Sequence, residues 1–140
     1  MNTEFVPPPY QLWRMSLAQL DKIATRLFSL YIRTRDMNKH GYVKCFTCHR
    51  KRHYTEIHCG HYASRKNMCT KFLEINNNPQ CEVCNISYNG NRTQYKKALD
   101  RKHGTGTADY IDELARKTCK WIKSDMIDLI TSLEKTLDYG

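Results

Sequence analysis

Apolar positions recur at helical spacing towards both ends of this chain and lose regular period in its middle. Leu17, Leu20, Ala24, Leu27, Phe28 and Tyr31 keep to one face of a helix predicted over residues 16–37, and Ser16-Leu17-Ala18-Gln19 fits a capping box at its start. Ile111, Leu114, Ala115, Thr118, Ile122, Met126, Leu129, Leu133 and Leu137 form a second stripe. It predicts a C-terminal helix over residues 107–138, with Thr107 as cap and Asp109 and Asp112 in the first turn, where the helix dipole favours acids. The end of that stripe is nearly heptad-like, which suits packing within the chain or pairing with a second copy. Ahead of both, Pro7-Pro8-Pro9 predicts an extended arm over residues 1–15, because proline fixes φ and removes the amide donor.

The middle reads as short strands and turns. Residues 38–41 offer a helix stop, Tyr42-Val43-Lys44 a short strand, and Tyr54, Thr55 and Ile57 a strand or hairpin arm before Gly60. Residues 64–80 have no sustained period, and Asn76-Asn77-Asn78-Pro79 predicts a turn in a loop. A short helix is expected from Glu82, carrying Cys84, Asn85 and Tyr88, then a basic helix over residues 92–103 that ends at Gly104-Thr105-Gly106. A chain of 140 residues suffices for one domain with a modest core, so residues 16–140 are expected to form a single domain around a central region 41–104.

Cysteine spacing changes this picture most. Cys45-x-x-Cys48 and Cys81-x-x-Cys84 are two knuckles that can bring four thiolates to one tetrahedral zinc, closing a loop of 32 residues around His58-Cys59-Gly60-His61-Tyr62. Such a site supplies folding energy as well as geometry. Cys59, Cys69 and Cys119 remain over and are expected as free thiols, small and buried. An odd total of seven cysteines, four at metal spacing, argues against a secreted disulfide scaffold. Without a signal-like leader or an apolar run near the ~20 residues that span a bilayer, the chain is expected to be soluble and cytoplasmic, with no membrane partner.

Lys and Arg outnumber Asp and Glu by 23 to 14, giving a formal charge of +9. The excess suits either an anionic partner such as nucleic acid or simple solubility. Its placement is informative: Lys44, Arg50, Lys51, Arg52, Arg65, Lys66 and Lys71 face a single acid, Glu56, between residues 44 and 71. Phosphodiester hydrolysis needs a base for water and a cation for the developing charge, which histidine and a divalent ion supply near neutral pH. The composition argues against a carboxylate cage for two ions, since Glu56 and Glu74 are the only acids between Met37 and Gln80.

The run Tyr31-Ile32-Arg33-x-Arg35-Asp36, Gly41-Tyr42-Val43-x-Cys45, Gly60-His61-Tyr62-x-Ser64-Arg65, Asn76, Pro79-Gln80-Cys81-x-x-Cys84-Asn85, Gly90-Asn91 and Tyr95 resembles the NinG (Rap) family of phage recombination endonucleases, among the zinc-supported HNH or His-Me finger nucleases. The likeness spans about residues 27–104. It implies an α+β fold with a ββα-metal core, a four-cysteine structural zinc and flanking N- and C-terminal helices. It also implies metal-dependent cleavage of branched DNA such as Holliday junctions or D-loops, with magnesium or manganese as the catalytic ion.

By position, the resemblance makes His61 the general base, Asn76 the residue that steadies the loop, and Asn85 a ligand of the catalytic ion. Related nucleases often carry an acid just before the catalytic histidine, whereas this chain has His58, Cys59 and Gly60. A His58 ligand would tilt the site towards manganese, cobalt or nickel; otherwise waters complete the shell and His58 packs on the hairpin. Arg65 is a candidate for forking onto phosphate oxygens, or for a plain surface ion pair. His49 and His53, beside Arg50-Lys51-Arg52, suit phosphate or solvent.

A C2H2 finger fits poorly. Nine residues separate Cys48 from His58 and two separate His58 from His61, where about twelve and three to five are usual, and Cys81 and Cys84 would be left idle. The competing functional classes are a non-catalytic zinc accessory that binds nucleic acid and a zinc-ribbon adaptor that binds protein. A homodimer would suit a four-way junction, because two symmetric cuts need two sites.

Overall fold

A computed structural model describes residues 6–139. The fold is mixed α+β, with two small antiparallel sheets among the described residues and a cluster of four cysteines. Contacts divide the chain into two units, one made of the N-terminal residues to Tyr31 and those from Lys120 onward, the other of Ile32–Cys119.

In the first unit, α1 (Pro9–Leu12) is a single helical turn rather than the extended arm expected there; Pro9 starts it, where a missing amide costs nothing, and Leu12 is buried. Residues 1–5 of that arm lie outside the described residues. Helix α2 (Leu17–Thr34) begins at the expected capping box: the Ser16 amide donates to Gln19 Oε1 at 2.8 Å and the Gln19 amide to Ser16 Oγ at 3.1 Å. Leu20, Ile23, Ala24, Leu27 and Phe28 bury its apolar face.

The C-terminal stripe is not one helix. It breaks into α4 (Thr107–Ala115), in the second unit, and α5 (Lys123–Tyr139), in the first. Ile122, counted in the stripe, is 54% exposed, and the core positions of α5 are Met126, Ile127, Ile130, Leu133 and Leu137. Asp125 fixes the restart by accepting from the Ile122 amide at 3.0 Å. Thr107 is not the cap of α4 either. Its hydroxyl donates back to the Gly104 carbonyl, and Asp100, from the preceding helix, takes the free Ala108 amide at 3.0 Å.

The second unit is built on two hairpin pairings. Strands β1 (Tyr42–Lys44) and β2 (Lys51–His53) pair antiparallel across the first knuckle. Strand β3 (His58–His61) pairs with β4 (Asn77–Gln80), with His58 opposite Gln80 and His61 opposite Asn77. Residues 77–80, expected as a turn in a loop, are therefore a fully buried strand. Side-chain bonding overrides their low strand propensity. Asn77 Nδ2 donates to the carbonyls of Lys71 and Leu73, at 3.0 and 2.8 Å, and Asn78 Nδ2 donates to the Tyr95 hydroxyl at 3.1 Å. A π-helical turn, Val83–Ser87, follows, then α3 (Arg92–His103).

Tyr95 ties α3 to both strands. Fully buried, its hydroxyl donates to the Gly60 carbonyl at 2.8 Å and its ring packs with Tyr62, Leu99 and Ile111. Arg92 spans β3 and α4: it donates to the Tyr62 carbonyl, lies over the Tyr62 ring and pairs with Asp112. Two further cysteines depart from expectation. Cys69 and Cys119 form a disulfide, with Cα atoms 5.1 Å apart, because the loop after β3 folds back against the segment that follows α4. Cys59 stays a free thiol, and burial pushes it up to about 12.

Candidate functional site

The four knuckle cysteines converge. Cys45 and Cys48 lie on the turn between β1 and β2, Cys81 follows β4, and Cys84 lies on the π-helical turn. Their sulfur atoms all lie within 4.8 Å of one another, with Cys48 and Cys81 at 3.6 Å. A tetrahedron with metal–sulfur bonds of about 2.3 Å has edges of about 3.8 Å, so the residues present fit zinc.

Hydrogen bonds to the sulfurs favour thiolate, and burial opposes it. The Cys84 amide and Asn91 Nδ2 donate to Cys81 and Cys84 sulfurs at 3.5 and 3.6 Å. At Cys45, burial opposes ionisation, but the Thr47 hydroxyl and the backbone amides of Cys81, Cys48 and Thr47 bring the thiol down to about 6. Burial pushes Cys48 up to about 12, with the neighbouring sulfurs adding to it. One thiolate therefore forms readily, and a full set needs a cation to share the charge.

The cluster positions what comes next in the chain. Asn85 directly follows Cys84 on the π-helical turn, and its carboxamide meets His58 of β3: Asn85 Nδ2 and His58 Nδ1 are 3.0 Å apart. Two residues that are 27 apart in sequence thus meet side chain to side chain, an imidazole against a carboxamide.

His61 ends β3. Burial, with the positive charges of Arg65 and Lys71, lowers its pKa to about 4, so at neutral pH the imidazole is uncharged and able to accept a proton. Arg65 is exposed on a turn after β3, close enough for its charge to act on His61. His53 Nδ1 contacts Thr55 Oγ1 at 2.8 Å, and His49 is exposed.

Asn76 is buried in a 3-10 turn, Glu74–Asn76. Its Nδ2 donates to the carbonyls of Ala63 and Thr70, at 3.2 and 3.0 Å, while its Oδ1 accepts from the Ala63 amide at 2.7 Å. The bonds clamp the chain two residues beyond His61. Asn76→Ala should therefore cost about 3 kcal/mol, since it leaves three buried backbone groups unpaired. Urea unfolding checks this, and a loss below about 0.5 kcal/mol would show that the clamp is dispensable.

Sequence reasoning missed two supports of β3. Gln80 lies flat across Gly60, where an added Cβ would sit 2.0 Å from Gln80 Oε1, and its Nε2 donates to Thr47 Oγ1 and the Gly90 carbonyl. Tyr95 holds the Gly60 carbonyl from α3. Gly60 preceding a histidine was a visible signal of close approach; nothing local pointed to the partners.

No helix among the described residues is long and apolar enough to cross a membrane. No curated protein and no solved structure matches the chain significantly. The family model of the bacteriophage lambda NinG protein matches residues 14–138, and the chain belongs to the NinG family.

Proposed function

We propose that this chain is a metal-dependent DNA endonuclease with a ββα-metal (His-Me finger) core, formed by β3, β4 and the turn that carries Asn85. Branched recombination intermediates, such as Holliday junctions and D-loops, are the substrates. The observation that carries this reading is the meeting of His58 of β3 with Asn85 of the π-helical turn, 3.0 Å apart, on a hairpin whose β3 ends in an uncharged His61.

In this mechanism His61 takes a proton from a water molecule, which attacks phosphorus in line. His58 and Asn85 would hold the divalent ion, magnesium or manganese, which would supply positive charge for the phosphate and the leaving oxygen. Arg65 forks onto a phosphate oxygen, and Asn76 keeps the chain beyond His61 in place. Cys45, Cys48, Cys81 and Cys84 would hold a structural zinc, which would anchor Asn85 next to Cys84. A homodimer offers two such sites for paired cuts.

Cutting of labelled four-way junction and linear duplex under magnesium and manganese titration tests the ion site. His58→Ala and Asn85→Ala should each raise the ion concentration for half-maximal cutting by about ten- to a hundredfold, with ion-free DNA binding unchanged. Ion dependence identical to that of the wild type would remove these two residues from the site. Well-folded protein that binds DNA but cuts under no ion would instead favour a non-catalytic zinc accessory.

A further inference from the structure

The second unit also holds a cleft of about 500 Å³ that includes none of His58, His61, Asn76 or Asn85. Its floor is apolar: Val43 of β1, Phe46 of the first knuckle, Pro79 of β4 and Ala98 of α3. Its rim is basic: Lys44 and Lys51 on the β1–β2 side, Arg101 and Lys102 on α3, all four exposed. None of these four cations forms an ion pair among the described residues, and the one acid of the lining, Asp36, is already paired with Arg35 at 3.1 Å. The Lys102 ammonium stands over the Phe46 ring, 5.8 Å from its centre.

An apolar slot with an aromatic wall and a rim of one charge fits a planar apolar body attached to an anion. The volume lies in the range that holds small molecules, and a cleft lined by one sign of charge concentrates ligands of the other. A double helix cannot use the floor, because its bases are stacked and its surface there is phosphate and sugar. An unpaired nucleotide can: the base enters against Phe46, Val43, Pro79 and Ala98, and the flanking phosphates meet the four cations.

We propose that this cleft is a second nucleic-acid site, which takes an unpaired nucleotide of a DNA strand. The proposal rests on the nucleic-acid reading of the protein but not on catalysis by His61. Single-stranded character at a junction or strand end would be read here, apart from where the phosphodiester is cut.

The experiment measures anisotropy of labelled oligothymidylate of about ten nucleotides, and of blunt duplex of the same length, without added divalent ion. Lys51→Glu with Arg101→Glu should weaken oligothymidylate binding about tenfold or more and flatten its salt dependence. Arg116→Glu with Lys117→Glu makes the same charge change at exposed positions that do not line the cleft and should cost less than about threefold. Ala98→Phe fills the floor at constant charge and should weaken oligothymidylate by about fivefold while sparing duplex.

Equal losses from the two charge-reversed pairs, or wild-type affinity in Ala98→Phe, would overturn the proposal; so would equal losses on single strand and duplex. Circular dichroism verifies the fold of each variant, and the surface pair decides the outcome if Ala98→Phe is disrupted. Absence of cutting by wild type would sink the nuclease reading and leave this result standing. Normal cutting with cleft-insensitive oligothymidylate binding would do the reverse.

Discussion

Removing metal from the Cys45, Cys48, Cys81 and Cys84 cluster is expected to unfold the central region, residues 41–104, and Cys81→Ser is expected to do the same. Structural zinc contributes about 10–16 kcal/mol in zinc-finger peptides, as much as the whole stability of an ordinary domain. Little else here could replace it. The two sheets have two strands each, and isolated hairpins of that size are marginal in water.

The cluster also joins the parts of the candidate site. It holds the β1–β2 turn against the end of β4 and the start of the π-helical turn, where Phe46 donates its amide to the Pro79 carbonyl at 2.7 Å. Without metal the thiol set is left with its own repulsion and burial, and Asn85 loses its anchor opposite His58. Metal content, circular dichroism and amide exchange before and after chelation measure the effect. Protected amides retained across residues 41–104 in strictly metal-free protein would contradict it.

Helices were legible in the sequence, except that the C-terminal stripe keeps its period across the break between α4 and α5 and read as one helix. The α2 stripe and its Ser16–Gln19 box appear in the structure with both reciprocal bonds, and the basic helix over residues 92–103 has the expected bounds. The knuckles were legible because two Cys-x-x-Cys turns carry their own geometry. Elements held by distant partners were not. Strand β4 has polar residues and a proline where a strand reading wants β-branched ones, and it forms because Lys71, Leu73 and Tyr95 satisfy its side-chain amides from outside. Asp100 as the cap of α4 and the Cys69–Cys119 pairing also join residues that share no local pattern.

The same distinction applies to the site. His61, Asn76 and Asn85 were picked out by position in the family resemblance; the structure brings Asn85 to His58 and bonds Asn76 to the chain after His61. The support from Gln80 and Tyr95 could not. A glutamine and a tyrosine are ordinary surface or core residues until their contacts with Gly60 are seen.

His61→Ala is expected to abolish cutting, by about a thousandfold or more, while DNA binding stays within about twofold. The imidazole, with a pKa near 4, is uncharged at neutral pH, so its loss removes a proton acceptor rather than a phosphate contact. Packing around it changes little, because His61 is only partly buried and makes no side-chain hydrogen bond among the described residues.

The decisive comparison is wild type against His61→Ala on labelled four-way junction and linear duplex, with magnesium and manganese titrated and binding followed beside cleavage. Wild type is expected to cut only with the ion and to prefer the junction, and the variant to bind without cutting. Cutting by His61→Ala at the wild-type rate, or none by folded wild type under either ion, would contradict this.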